Sequence, residues 1–282
     1  MRIGKVCITG SALLVLAACV PAGAATIAQY NFDAFKATSP NPVIADVSGN
    51  GHDLTHNPTG SGNSPYAGLD SPPSSTANPF NMAGDSSLVV RYNTGFMANP
   101  GTINLNNGGS NKFTLEGWVR PAASSSNSSL ANLASNDGGN TTNIYLNVLG
   151  STGQVQARVY NGGGQVVTSS NSVVQMNQWN YLALIYDGAD MHVYIKNSAY
   201  PTLTELGSVA VGVSLPTYLT SNTYVAAAST DWYTGFDDIR LSDTALTDAQ
   251  LGYHASFTPV PEPAALSLLG LGALSMIRRR KA

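Results

Sequence analysis

Glu116 and Glu205 are the only glutamates between residues 25 and 258, and each is the only acidic residue in its stretch. Acid–base cleavage of a glycosidic bond needs two carboxyl groups about 5 to 9.5 Å apart across that bond. Asp237 and Asp238 are adjacent, but neighbours on a strand face opposite sides of the sheet and supply no such pair. The sequence holds no G-x-S-x-G nucleophile turn, no H-E-x-x-H zinc helix and no E-x-D-x-x-E strand. The residue types therefore argue against a hydrolase. A diverged polysaccharide hydrolase or lyase stays as the alternative.

Metal chemistry has two places to act. His52 and His56 flank Asp53, a loose group without the spacing or the fourth ligand of a zinc site. His192 falls on the polar side of a strand and His254 follows a short helical signal, so both are expected to be solvated. The stretch "ADVSGNGHD" suits a harder ion, because Asp46 precedes a Ser-Gly-Asn-Gly turn whose glycines expose backbone carbonyls. Calcium takes six to eight oxygens from carboxylates and such carbonyls. The competing reading is an Asx-type turn with no ion.

The elements that carry these residues read as strands joined by polar turns. "MHVYIKN" alternates Met191, Val193 and Ile195 with His192, Tyr194 and Lys196, and Asp187-Gly188 marks a hairpin before it. "NIYLNVL", "QVQARVYN" and "QVVTSS" look alike, with the glycines of "NGGG" turning between the last two. Thr247-Asp248-Ala249-Gln250 has the form of a capping box, predicting one late α-helix of about two turns with Leu246 and Leu251 packing beside it. Many short strands and one late helix predict an all-β, antiparallel two-sheet sandwich over residues 25–258.

Composition sets the compartment and excludes a partner class. Arg2 and Lys5, the apolar "VCITGSALLVLAACV" and the small residues Ala22-Gly23-Ala24 form the three regions of a signal peptide, residues 1–24. "LAAC" ending at Cys19 also has the look of a lipidation site, but "AGAAT" directly after it favours ordinary cleavage. Both cysteines, Cys7 and Cys19, lie in this segment, so ordinary cleavage leaves no thiol and stability must come from a hydrophobic core. Residues 25–259 carry seven basic against fifteen acidic side chains, a net charge of −8. An acidic domain without basic clusters does not suit nucleic acid.

The order of "AQYNFDA", "DVSGNGHDL", "FTLEGWVRP", "WNYLALIYDGADMHVYIKN" and "FDDIRLSDTALTDAQL" resembles LamG-like, or concanavalin A-like, jelly-roll domains. The resemblance implies a jelly-roll sandwich in which Trp118 and Trp179 pack as structural aromatics. It also implies a structural calcium ion at Asp46, the backbone oxygens around Asn50 and His52, and Asp237, with Asp33 as a further ligand. One departure is Asn197 where the family has Gly after the "YIK" position; Asn is the next residue to tolerate a left-handed turn. For a sugar-binding edge, Tyr92, Trp232 and Tyr233 are the aromatic candidates, each equally explained by packing.

The last segment, 259–282, joins "VPEP" to an apolar run from Ala264 to Ile277 and a basic end from Arg278 to Lys281. A 14-residue helix reaches about 21 Å, short of a hydrocarbon core of about 30 Å. Pro261, Glu262 and Pro263 with this short apolar helix and basic end resemble a PEP-CTERM sorting tail. That resemblance implies processing by an exosortase-type membrane protease in a Gram-negative bacterium that makes exopolysaccharide, with membrane contact only through the tail before processing. The combined expectation is an exported, non-catalytic protein of the cell surface or extracellular matrix that binds carbohydrate or another surface protein. A purely structural matrix role is the third reading.

Overall fold

The computed structural model describes residues 26–32, 43–57, 88–90, 95–98, 103–105, 111–121, 127–137, 140–161, 165–169, 171–211, 218–219, 224–228 and 234–252. Residues 1–24 with Cys7 and Cys19, and also Asp33, Tyr92, Trp232, Tyr233, His254 and the tail 259–282 with Pro261, Glu262 and Pro263, lie outside the described residues.

In chain order the first strands are β1 (Thr26–Tyr30), β2 (Val43–Ile44), β3 (Leu54–Asn57), β4 (Leu88–Val90), β5 (Gly95–Ala98), β6 (Ile103–Asn104), β7 (Phe113–Arg120) and β8 (Asn127–Asp137). They are followed by β9 (Asn140–Leu149), β10 (Gln154–Asn161), β11 (Gln165–Thr168), β12 (Asn180–Tyr186), β13 (Asp190–Lys196), β14 (Thr204–Ala210), β15 (Tyr218–Leu219), β16 (Tyr224–Ala228) and β17 (Thr234–Ser242). One sheet runs β1-β17-β7-β12-β13-β14, with β4 also pairing β17; a second runs β11-β10-β9-β8-β16-β5-β3-β2. β15 and β6 form a small separate ribbon. The pairings are antiparallel, as the alternation predicts. Both expected hairpins form: β12 with β13 around Asp187-Gly188, and β10 with β11 around the glycine run.

The main core lies between the sheets. Phe113, Leu115, Leu182, Leu184, Val193 and Phe236 meet Ile144, Leu146, Val148, Val155 and Ala157 from the second sheet. β13 shows the simple result, burying Met191, Val193 and Ile195 and leaving the residues between them half-exposed. β12 is buried along its whole length, because its other face is covered too. There Tyr181, Ala183 and Ile185 pack with Trp118, Trp179, Leu246 and Leu251 in a second apolar cluster. The two tryptophans are therefore structural, as expected. Gly235 on β17 matches them in shape, since a Cβ there would sit 3.1 Å from the Trp179 ring.

The late helix is shorter than the capping box predicts: a single 3-10 turn, Asp248–Gln250, in place of a two-turn α-helix. Gln250 Oε1 does accept the Thr247 N–H at 2.9 Å, so the box closes from that side. Leu251 then turns to extended backbone, which carries Gly252 onto the sheet instead of prolonging the helix. Asn197 also departs from expectation. It is not among the left-handed residues. Its buried amide instead accepts the N–H groups of Ala199 and Tyr200 and donates to Val173 O and Asn180 Oδ1, which ties the turn after β13 to the loop before β12.

Candidate functional site

Asp46 does work in the loop that the glycines shape. Its Oδ1 accepts the N–H of Gln29 at 3.0 Å and of Ser48 at 2.9 Å, and its Oδ2 accepts the N–H of His52 at 3.1 Å. Asp53 in turn accepts the Asp46 N–H at 2.8 Å. Gly49 and Gly51 both have left-handed backbone, which glycine adopts without a Cβ penalty. Asn50 uses its side-chain amide, donating to Thr26 O at 2.7 Å and Ile27 O at 3.0 Å. The loop is thus bonded to β1 from several sides. The Tyr30 hydroxyl, buried beneath it, donates to His52 O at 2.8 Å, and burial followed by the charges of Asp46 and Asp53 raises its pKa well above 10.0. This is the Asx-type arrangement, with Asp46 as its anchor.

For calcium the test is what remains. Asp46 keeps about one lone-pair direction of roughly four on its two oxygens. The backbone oxygens around Asn50 and His52, the latter shared with Tyr30, lie in the same loop; Asp237, on β17, is buried and accepts the Asp238 N–H at 2.8 Å. The donors are all oxygen, which fits calcium and not zinc.

The two glutamates occupy unlike settings on one row of the first sheet. Register places Arg240, Glu116, Ala183, Tyr194 and Glu205 side by side on β17, β7, β12, β13 and β14. Glu116 and Glu205 are therefore three strand spacings apart, about 14 Å. A glycosidase pair spans at most about 9.5 Å. Glu116 is only 1% exposed, and its oxygens are taken by Arg240, the Tyr181 hydroxyl and the Gly252 N–H, the last at 2.8 Å. Arg240 also donates to Gln250 O at 2.6 Å.

A bulge makes that ion pair. Between Asp237 and Arg240, β17 spends three steps while β7 spends two from Trp118 to Glu116. Asp238 takes left-handed backbone, φ 47°, as the extra residue. Simple alternation, which sets Asp237 and Asp238 on opposite faces, would have sent Arg240 into the core; the bulge turns it onto Glu116.

His192 lies on the part-exposed polar side of β13, as its alternation suggests, and it has partners there. Its Nδ1 lies 3.0 Å from Glu205 Oε1 and its Nε2 3.9 Å from Asp187 Oδ2. Asp187 caps the hairpin, accepting the N–H groups of Asp190 and Ala189 at 2.7 and 2.8 Å, and these bonds lower its pKa.

The feature that the sequence reading passed over is the outer face of the second sheet. On β9, Tyr145 and Asn147 alternate with the buried Ile144, Leu146 and Val148; on β10, Gln154, Gln156 and Arg158 alternate with Val155, Ala157 and Val159. Register puts Thr168, Gln156, Asn147 and Ser129 in one row across β11, β10, β9 and β8, with Arg158, Tyr145 and Asn132 in the row beside it. Tyr145 donates its hydroxyl to Gln156 Oε1 at 2.9 Å, and Gln156 Nε2 donates to Thr168 Oγ1 at 3.1 Å. The Arg158 guanidinium stands 6.0 Å from the Tyr145 ring centre. Asn147 Oδ1 has no hydrogen-bond partner among the described residues. Over these four strands the two rows contain amides, hydroxyls, one aromatic ring, one base and, opposite Arg158 on β11, Val166, and no carboxylate. The signal in the sequence was the polar half of "NIYLNVL" and "QVQARVYN". Only the pairing register joins those halves into one surface.

The model of the concanavalin A-like lectin/glucanases superfamily matches residues 93–252, and that of the PEP-CTERM protein-sorting motif matches residues 259–281. Among curated proteins, none matches the chain. Domain 4 of AbnA, an extracellular arabinanase of Geobacillus stearothermophilus solved in complex with arabinotriose, superposes with a TM-score of 0.55 at 18% identity, over 80% of this chain and 96% of that one. The receptor-binding domain of botulinum neurotoxin mosaic serotype C/D superposes with a TM-score of 0.52 at 11% identity, over 84% of this chain. The chain spans about half, 52%, of that toxin domain. At these identities the two likenesses concern the fold.

Proposed function

The chain belongs to the concanavalin A-like lectin/glucanase superfamily, and we propose that it is a non-catalytic glycan-binding protein of the cell surface or extracellular matrix. The PEP-CTERM tail makes it an exported protein sorted to the envelope or surface, with exosortase processing implied. A Gram-negative host and its exopolysaccharide belong to the same proposal. One observation carries it: the carboxylate-free surface of Tyr145, Asn147, Gln156, Arg158 and Thr168 on an otherwise acidic domain. Amides and hydroxyls each donate and accept, as sugar hydroxyls do, while the Tyr145 ring offers a flat apolar face. The arabinotriose bound by the AbnA domain supports a sugar as ligand. The separation of Glu116 from Glu205 and the occupied oxygens of Glu116 support binding without turnover.

A structural calcium ion held by oxygens of the 46–52 loop and Asp237 is part of this reading. It would add positive charge among carboxylates and join two distant parts of the chain. The functional test is affinity electrophoresis of the exported protein through gels containing neutral or acidic polysaccharides, with reducing ends assayed in parallel. Retardation without new reducing ends is expected. Reducing ends that accumulate with time would restore the hydrolase alternative, and unretarded migration in every gel would leave the structural matrix role.

A further inference from the structure

Building on the glycan-binding reading, we propose that the Thr168–Gln156–Asn147 row holds the interior of an uncharged, extended polysaccharide chain lying across β11, β10 and β9. The first argument is spacing. Thr168 pairs directly with Gln156, Gln156 with Asn147, and Asn147 with Ser129 on β8. Polar positions therefore recur every 4.7 to 4.9 Å or so, one strand spacing, over about 14 Å. That period is close to the length of one sugar ring, so successive rings of an extended chain meet successive side chains.

The second argument is charge. Residues 25–259 carry a net −8, which repels an acidic polymer at long range. The row and its neighbour offer a single cation, Arg158, standing over the Tyr145 ring. A polymer with one carboxylate per ring would find one partner for several charges. A neutral chain meets no such penalty, and its ring faces can rest on the flat tyrosine and guanidinium groups.

The third argument is order before binding. The bonds from Tyr145 to Gln156 and from Gln156 to Thr168 fix the Gln156 amide in one orientation without using its second N–H or its remaining lone pair. Less side-chain freedom is then lost when the ligand arrives. Asn147 Oδ1, buried without a donor among the described residues, adds an acceptor to the same row. A ligand hydroxyl, reached when that amide turns, would supply the donor.

Isothermal titration of the full exported protein with neutral arabino-, xylo- and cello-oligosaccharides of one to six rings tests this, beside an oligogalacturonide series of equal lengths. Within at least one neutral series the affinity should rise about threefold or more per ring up to roughly four rings and then level off. Borohydride reduction of the end ring should leave it unchanged, and raising the salt concentration should have no effect. Gln156→Ala and Asn147→Ala should each weaken the four-ring ligand at least fivefold, with the melting temperature unchanged. Equal affinity for one ring and four, or loss of binding on end reduction, would overturn the interior mode while leaving glycan binding intact. Tighter, salt-sensitive binding of the oligogalacturonides would overturn the uncharged class. If no series binds, and the gels show no retardation either, the glycan-binding reading falls along with this one.

Discussion

The outer faces of the two sheets start from the same rule, alternation along antiparallel strands, and end differently. On the first sheet the face is closed. The segment from Ala245 to Gly252 lies over Trp118, Tyr181, Ala183 and Ile185, and a buried Glu116–Arg240 pair fastens it through Gln250 O and the Gly252 N–H. On the second sheet the corresponding positions are Tyr145, Gln156, Thr168 and Arg158, bonded to one another across the strands. The first face spends its polar groups on holding the chain to itself. The second bonds its polar groups to one another along its own surface. A polar residue on an outer strand face is thus uninformative by type, and its partners decide what it does.

The largest expected effect breaks the closed face. Glu116→Gln removes the buried negative charge that faces the Arg240 guanidinium, 11% exposed, and sets an amide against donors. Removing one member of a buried pair costs about 3 kcal/mol or more. For a domain of this size that lowers the melting temperature by roughly 10 °C. Urea unfolding followed by tryptophan fluorescence reads the change, since Trp118 and Trp179 share an apolar cluster with Tyr181, which donates to Glu116. A loss no greater than that of Gln156→Ala on the open face would erase the energetic difference between the two.

A second effect, of intermediate size, separates a turn anchor from an ion ligand. Asp46→Ala strips the acceptor from three backbone N–H groups, a cost of about 2 to 4 kcal/mol. That cost should persist in EDTA, and any calcium-dependent part of the melting temperature should be lost with it. Asp237→Ala should also abolish whatever part of the melting temperature depends on calcium. Wild-type protein whose melting is indifferent to EDTA, with no metal co-purifying, would remove the ion and leave the turn.

The smallest effect is a change of slope with pH. The Tyr30 hydroxyl titrates above 10.0 in the folded protein because it is buried beside Asp46 and Asp53. Below pH 10 it is neutral in both states and its contribution is fully present. As the pH climbs from 10 toward the raised value, the unfolded chain ionises first and stability is lost. Tyr30→Phe should cost about 1 kcal/mol at neutral pH through the lost bond to His52 O, and should flatten the alkaline decline. An alkaline limb identical in the variant would mean that other groups set it.

Local pattern carried much of this into the sequence. Alternation in "MHVYIKN" and the Asp187-Gly188 turn gave β12, β13 and their hairpin, and the tryptophans were legible as packing residues. What stayed hidden depends on register between distant strands. Glu116 meets Arg240 across 124 positions only because Asp238 inserts an extra residue, and nothing in "FDDIRL" announces a bulge. Likewise Tyr145, Gln156 and Thr168 are ordinary polar alternates until three strands are aligned. The late helix is shorter than its capping box predicts for a related reason: the box is a local signal, whereas the chain after Gln250 is drawn out straight by the long-range bond from Gly252 to Glu116. The loop aromatics Tyr92, Trp232 and Tyr233 lie outside the described residues.

That same clasp has a mechanical side. A pull on the chain beyond Gly252 loads first the Gly252–Glu116 bond and then the bond from Arg240 to Gln250 O, one after another. The segment from Ala245 to Gly252 can therefore peel under modest force, paying out slack. β17 resists differently, because it is ladder-bonded to β1 on one side and to β7 on the other, and both ladders must slip together. Tension on the chain beyond Gly252 would be taken up by this short flap before it reached β17, so the second sheet would keep its register.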